Sequence, residues 1–136
     1  MAHAGQEFQR PDAYVLRLVR TAAETDGELL EMEATYGEGG ALPPEHLHPK
    51  QDERFEVLEG TIVAVVDGEE RRYGAGETFD VPAGTRHQMG ADGPARMRWE
   101  VRPALRTAEF FERLYTGDPA TFGDALAEFA DEIRFT

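Results

Sequence analysis

Between Leu30 and Arg102 the chain keeps returning to a period of two, which is the rhythm of a half-buried strand and not of a helix. Leu30, Met32, Ala34 and Tyr36 alternate with Glu31, Glu33 and Thr35, and Met97, Trp99 and Val101 alternate with Arg96, Arg98, Glu100 and Arg102. Successive side chains on a strand point to opposite faces, so each run can bury one face and wet the other. On a helix the same spacing would drive charge into the core. RFEVLEG, TIVAVV, ETFDVP and RHQMG supply further strand candidates. Asp67-Gly68, flanked by β-rich runs, reads as a hairpin turn, and Pro82-Ala83-Gly84 as a tight bend. Fourteen Gly and eight Pro fit a chain with many turns. The expected class is therefore all-β.

The ends depart from this pattern. Residues 1–12 are polar and carry Pro11, and they read as an arm that is loose or orders as an edge only against a partner. From Ala13, AYVLRLVR is another strand, and Thr25 to Gly27 a turn. After Pro103 the period lengthens to that of a helix. Phe110, Phe111 and Leu114 fit one short helix, and Asp118-Pro119 starts a second, with Asp as N-cap. Phe122, Leu126, Phe129 and Ile133 then share one face. The expected organisation is an arm at 1–12, a β-domain at 13–103, and a helical tail at 104–136 packed on it, one domain in a chain of 136 residues.

Fourteen basic against 27 acidic residues give a net charge of −13. Such a chain is repelled by phosphate backbones and anionic bilayers, so neither nucleic acid nor a membrane is an expected partner. No run of eighteen apolar residues occurs, and MAHAGQEFQRPD holds no apolar core of a secretory signal, so the expected setting is cytoplasmic. With no Cys, thiol nucleophiles, disulfides and thiolate metal sites are excluded. Any bound metal rests on His, Asp or Glu.

The chemistry concentrates in EHLHPKQDERFEVLEG and PAGTRHQMG. His46 and His48, two apart, project from one face of a strand. Glu53 shares parity with Phe55 and Val57, so it faces the interior with them, whereas Asp52 faces away. His87 offers a third imidazole. A His-x-His pair alone also suits a solvated or locally hydrogen-bonded site. Three neutral imidazoles with one carboxylate suit a single divalent Fe, Mn, Ni, Co, Cu or Zn ion, and on an octahedral ion two positions stay open. Phe55, Met89 and Trp99 are candidates for an apolar pocket wall, or plain core. Arg86, Arg98 and Arg102 have outer-face parity, and Tyr36 and Tyr73 carry hydroxyls that the sequence does not place.

The spacing resembles the two signature motifs of the cupin superfamily. Gly40, His46, His48, Glu53 and Gly60 stand in register with the first motif, and Gly76, Pro82, Gly84 and His87 with the second. Ala91 replaces the final Asn, which is not a metal ligand in the family pattern. Nine of the ten specified positions match, and fifteen residues separate the motifs, enough for the Asp67-Gly68 hairpin and too few for a lid. The resemblance implies a small jelly-roll barrel with one metal held by His46, His48, Glu53 and His87 in its mouth, and a homodimer paired through edge strands. It also implies a small-molecule substrate. The favoured activity is that of a mononuclear, dioxygenase-like oxidoreductase in which Glu53 doubles as a catalytic proton shuttle. An isomerase or decarboxylase, or a non-catalytic module that binds a small ligand through its metal, are the alternatives.

Overall fold

In a computed structural model describing residues 2–10, 13–38 and 42–136, two antiparallel sheets pack face to face. Gly40 and Pro11 lie outside the described residues. Strands are numbered in chain order: β1 (Glu7–Gln9), β2 (Val15–Arg20), β3 (Leu30–Tyr36), β4 (His46–Leu47), β5 (Asp52–Glu59), β6 (Thr61–Val66), β7 (Glu69–Gly74), β8 (Thr78–Val81), β9 (His87–Ala91), β10 (Ala95–Arg102) and β11 (Arg134–Phe135). One sheet runs β1-β2-β3-β10-β5-β8 and the other β11-β4-β9-β6-β7. From β3 onward every consecutive pair of strands except β6 and β7 crosses between sheets, the jelly-roll arrangement.

The alternation of the sequence sets the register. Met97 pairs with Ala34 and Val57, Trp99 with Met32 and Phe55, and Val101 with Leu30 and Glu53, so one inner face collects Leu30, Met32, Phe55, Val57, Met97 and Val101. All of these are essentially inaccessible, and Ile62, Ala64 and Ala91 meet them from the other sheet. Each large apolar side chain so buried contributes about 1.5–3 kcal/mol. Glu31, Glu33, Arg96 and Arg98 stay on the outer face, where Arg96 bridges Glu33 and Glu59.

Two short helices, α2 (Thr107–Thr116) and α3 (Phe122–Glu128), follow the last long strand, and a four-residue helix α1 (Ala22–Thr25) with a Thr21/Glu24 capping box joins β2 to β3. Phe110 and Phe111 of α2 are buried, with Phe111 edge-on to Trp99 at 5.4 Å between ring centroids. Buried Gln51 ties the start of this tail down, its amide meeting the Pro103 and Ala104 carbonyls and exchanging bonds with the Thr107 hydroxyl.

Two local expectations change. Glu7–Gln9 pairs with β2 of its own chain, which supplies the edge that a partner was expected to give. The apolar face from Phe122 to Ile133 is not one helix. The helix ends at Glu128, the amides of Glu132 and Ile133 both turn back to the Phe129 carbonyl, and the chain runs on as β11 against β4. Phe129 and Ile133 are buried as the pattern requires, but the open edge of β4 captures the backbone that a longer helix would have used.

Asp67 and Gly68 both have positive φ (51° and 80°), as a two-residue hairpin demands. Gly60 carries a stricter requirement. Its φ is 77°, and a Cβ there would lie 2.3 Å from the Pro94 carbonyl oxygen. Gly60→Ala is therefore expected to cost at least about 2 kcal/mol in urea unfolding, strain and backbone clash together. Gly68→Ala, with open space around it, is expected to lose less. Equal losses for the two variants would show that the close approach at Gly60 carries no weight.

Candidate metal centre

Strand pairing brings the two histidine motifs together. β4 lies beside β9 with His46 directly opposite His87, and His48, two residues on, projects from the same side. The chain then crosses to the other sheet, where β5 aims Glu53 back at them. Ring centroids are 4.4 Å apart for His46 and His87, 5.1 Å for His46 and His48, and 5.3 Å for His48 and His87. One nitrogen from each of the three falls within 4.8 Å of the others. The Pro82-Ala83-Gly84 bend is pinned by this same crossing: Gly84 N–H donates to the His48 carbonyl at 2.9 Å and Ala83 N–H to the Asp52 carboxylate at 2.8 Å. Asp52, facing away from the cluster, thus braces the turn that delivers His87.

Every imidazole is oriented from behind. Nδ1 of His46 faces the Pro44 carbonyl at 3.2 Å, Nδ1 of His48 the Glu132 carbonyl at 2.7 Å, and Nδ1 of His87 the Thr85 carbonyl at 2.9 Å. A carbonyl only accepts, so each Nδ1 carries a proton; in the neutral imidazole Nε2 keeps a lone pair, and in the imidazolium it carries a second proton. These Nε2 atoms lie beside Glu53. Its Oε1 lies 3.2 Å from His48 Nε2 and 2.9 Å from His87 Nε2, and none of the three atoms has a hydrogen-bond donor. The residues are 2%, 3% and 1% exposed, so water does not compensate them. Such a group is costly to bury unless a proton on an imidazole or a metal ion stands among its members.

A metal fits that requirement. Donors about 2.1 Å from one ion and at right angles to each other are separated by about 3.0 Å, close to the two Glu53 contacts. Burial works to raise the Glu53 pKa, but the His48 and His87 rings outweigh it and hold the carboxyl below its usual range. For His87 burial pulls down and the Glu53 carboxylate prevails, so its pKa is raised. His46, desolvated and beside His87 and His48, is held down at about 4. At neutral pH it is free to ligate.

The expected pocket residues separate into two kinds. Phe55 is fully buried, stacked between Trp99 at 5.6 Å and Phe79 at 4.8 Å, and so belongs to the core. Met89 and Trp99 are half-buried. Trp99 has a further role that its sequence position concealed: its indole N–H donates to Glu53 Oε2 at 2.7 Å, leaving Oε1 to face the histidines. The Glu132 carbonyl behind His48 was equally hidden, since every residue carries such a group. Arg86 is exposed, and Arg98 and Arg102 lie outside, flanking Glu100. Tyr73 stacks on Phe79, and Tyr36 meets Tyr14 edge-on. The double variant His46→Ala, His87→Ala is expected to lose nearly all bound metal by elemental analysis. Full occupancy in that variant would place the metal elsewhere.

The cupin domain family matches residues 32–101, just over half of the chain. Over 81 residues the chain is 36% identical to tetracenomycin polyketide synthase protein TcmJ of Streptomyces glaucescens, which is 58% of this chain and 52% of that relative. The chain thus spans about half the length of this curated relative. Among solved structures, KdgF from Halomonas sp. superposes with a TM-score of 0.62 at 23% identity, covering 72% of this chain and 86% of its own. PAC13 of Streptomyces, described as a nucleoside dehydratase, gives 0.61 at 18% identity over 77% and 81%. These two likenesses carry the fold alone. With two sheets in jelly-roll order, a three-histidine cluster between them and the family match across both motifs, this chain belongs to the cupin domain family.

Proposed function

We propose that the chain is a mononuclear metal-dependent enzyme acting on a small, largely apolar organic molecule, with dioxygenase-like oxidation as its reaction. The observation that carries this reading is the convergence of one nitrogen each from His46, His48 and His87 within 4.8 Å, beside a Glu53 carboxylate oxygen that, like His48 and His87 Nε2, is buried without a hydrogen-bond partner. His46, His48, His87 and Glu53 would hold one divalent transition metal. When bound, the ion supplies Lewis-acid polarisation of a substrate oxygen and a place for dioxygen. On an ion that takes six ligands these four residues would leave positions for both, whereas on a tetrahedral ion the same four would close the site.

The protein's own part is to hold charge and move a proton. Trp99 fixes Oε2 of Glu53 and leaves Oε1, held as a carboxylate, beside the histidines, where it would accept a proton from substrate. Met89, two residues beyond His87, and Trp99, bonded to Glu53, present half-buried apolar surface beside the cluster. That wall suits a flat, electron-rich ring or enol, and the name of the polyketide synthase relative supports a polyketide-derived aromatic as substrate class. The second reading, a redox-neutral reaction or simple ligand holding, is favoured by the depth of burial at His48 and His87.

Aerobic turnover on a panel of phenols, enols and diketones separates the two readings. The expected result is oxygen consumption that stops when the metal is stripped and returns when it is restored. Glu53→Gln is expected to lose about 10²–10⁴-fold in turnover while metal affinity falls far less, because the amide still coordinates weakly but accepts no proton. Wild-type turnover by a metal-loaded Glu53→Gln protein would leave Glu53 a ligand only.

A second copy of this chain is the proposed partner. β1 ends its sheet with an open edge among the described residues, whereas β7 ends the other with Glu69, Glu70, Arg71 and Arg72, a charged edge that discourages pairing. Sedimentation at micromolar concentration is expected to show a dimer. A monomer throughout would refute the pairing.

A further inference from the structure

We propose that the segment from Phe129 to Phe135 is a working part of the metal centre, a strap that fixes the orientation of His48 and sets how fast the ion exchanges. The proposal rests on the metal reading above but concerns residues outside the stretch that the cupin family matches.

Three contacts join the strap to the site. The Glu132 carbonyl accepts the His48 Nδ1 proton at 2.7 Å, the shortest of the three bonds that orient the imidazoles and the one made from farthest along the chain. β11 pairs with β4, placing Phe135 opposite His46 and Arg134 opposite Leu47. The Phe135 ring lies 5.9 Å from that of His46, centroid to centroid. Two of the three histidines are thus held or covered by this one segment. His46 and His87 take their Nδ1 partners from two residues away in sequence, but His48 borrows its partner from the far end of the chain.

The strap is firm at one end and light at the other. Phe129 and Ile133 are buried, and Phe129 packs edge-on against Phe110 at 5.6 Å. Arg106, at the start of α2, clamps the turn that presents Glu132. Its guanidinium sits 4.7 Å from the Phe129 ring centroid, donates to the Glu128 carbonyl at 2.8 Å, and lies 3.7 Å from the otherwise unpartnered buried Oε1 of Glu132. Beyond Ile133 two exposed residues pair with β4, Thr136 bonds Glu45, and Phe135 meets Phe122 edge-on, all of them exposed contacts. Exposed contacts of this kind open more readily than the buried anchor. With the strap closed, His48 is locked as the Nδ1–H tautomer with Nε2 toward Glu53. With the turn at Glu132 displaced, the ring loses the partner that aims it. Arg106 is accordingly a positioning residue.

Two measurements test the strap. In metal-free protein labelled with ¹⁵N-histidine, His48 is expected to appear as the Nδ1–H tautomer, and deletion of Asp131 to Thr136 is expected to abolish that preference. In protein loaded with Co²⁺, release of the ion to excess EDTA is expected to be about tenfold or more faster in Arg106→Ala, the scale on which partners of metal ligands act. Arg113→Ala breaks the other side-chain link from α2 to Glu128 without touching the strap, and wild-type release is expected. An Nε2–H tautomer of His48 in the wild type, or release from Arg106→Ala within twofold of wild type, overturns the proposal. If the deletion variant does not fold, the Arg106→Ala release rate decides. If the wild type takes up no Co²⁺, the metal reading fails, and the histidine spectra of wild type and Arg106→Ala decide the strap on their own.

Discussion

The contact of Glu53 Oε1 with two imidazole nitrogens, at 3.2 and 2.9 Å in an interior closed to water, is the constraint around which the rest of the structure is arranged. Three lone-pair donors do not stay together in a dry core unaided. They stay because each imidazole is pinned at its far nitrogen by a backbone carbonyl, and the carboxylate by an indole N–H. Groups oriented in this way would reduce the reorganisation that binding an ion requires.

Holding these groups needs both sheets. β4 and β9 carry the histidines, β5 and β10 carry Glu53 and Trp99, and the crossing between sheets is braced by Asp52 and the His48 carbonyl against the Pro82-Ala83-Gly84 bend. The apolar stack from Trp99 through Phe55 and Phe79 to Tyr73 packs the space below the site and keeps water from it. A net charge of −13 adds a long-range field that draws cations to the molecule and repels anionic small molecules. The proposed neutral, apolar substrate beside a metal would suit both features.

Much of the fold was legible in the sequence from its period, and the clustering of His46, His48 and His87 from the motifs that resemble the cupin pattern. Alternation from Leu30 to Arg102 gave the strands, their inner faces and the interior parity of Glu53, and the two motifs placed four polar side chains near strand ends. Strand parity separated Glu53 from Asp52 correctly, since only Glu53 shares the buried face with Phe55 and Val57. What the sequence concealed depends on tertiary contacts with no residue-type signal. The strand at Arg134–Phe135 looked like the end of a helix because Phe129 and Ile133 keep helical spacing, and only the free edge of β4 decides otherwise. The carbonyl of Glu132 is chemically anonymous until the fold brings it to His48. Trp99 could be placed inside by parity, but not against Glu53.

X-ray absorption at the metal edge of Co²⁺-loaded protein tests the central claim most directly. The account predicts one bound ion with nitrogen and oxygen neighbours at about 2.0–2.2 Å, the outer-shell scattering of three imidazoles, and loss of one imidazole in His48→Ala. A spectrum without imidazole scattering, or one that His48→Ala leaves unchanged, would contradict it.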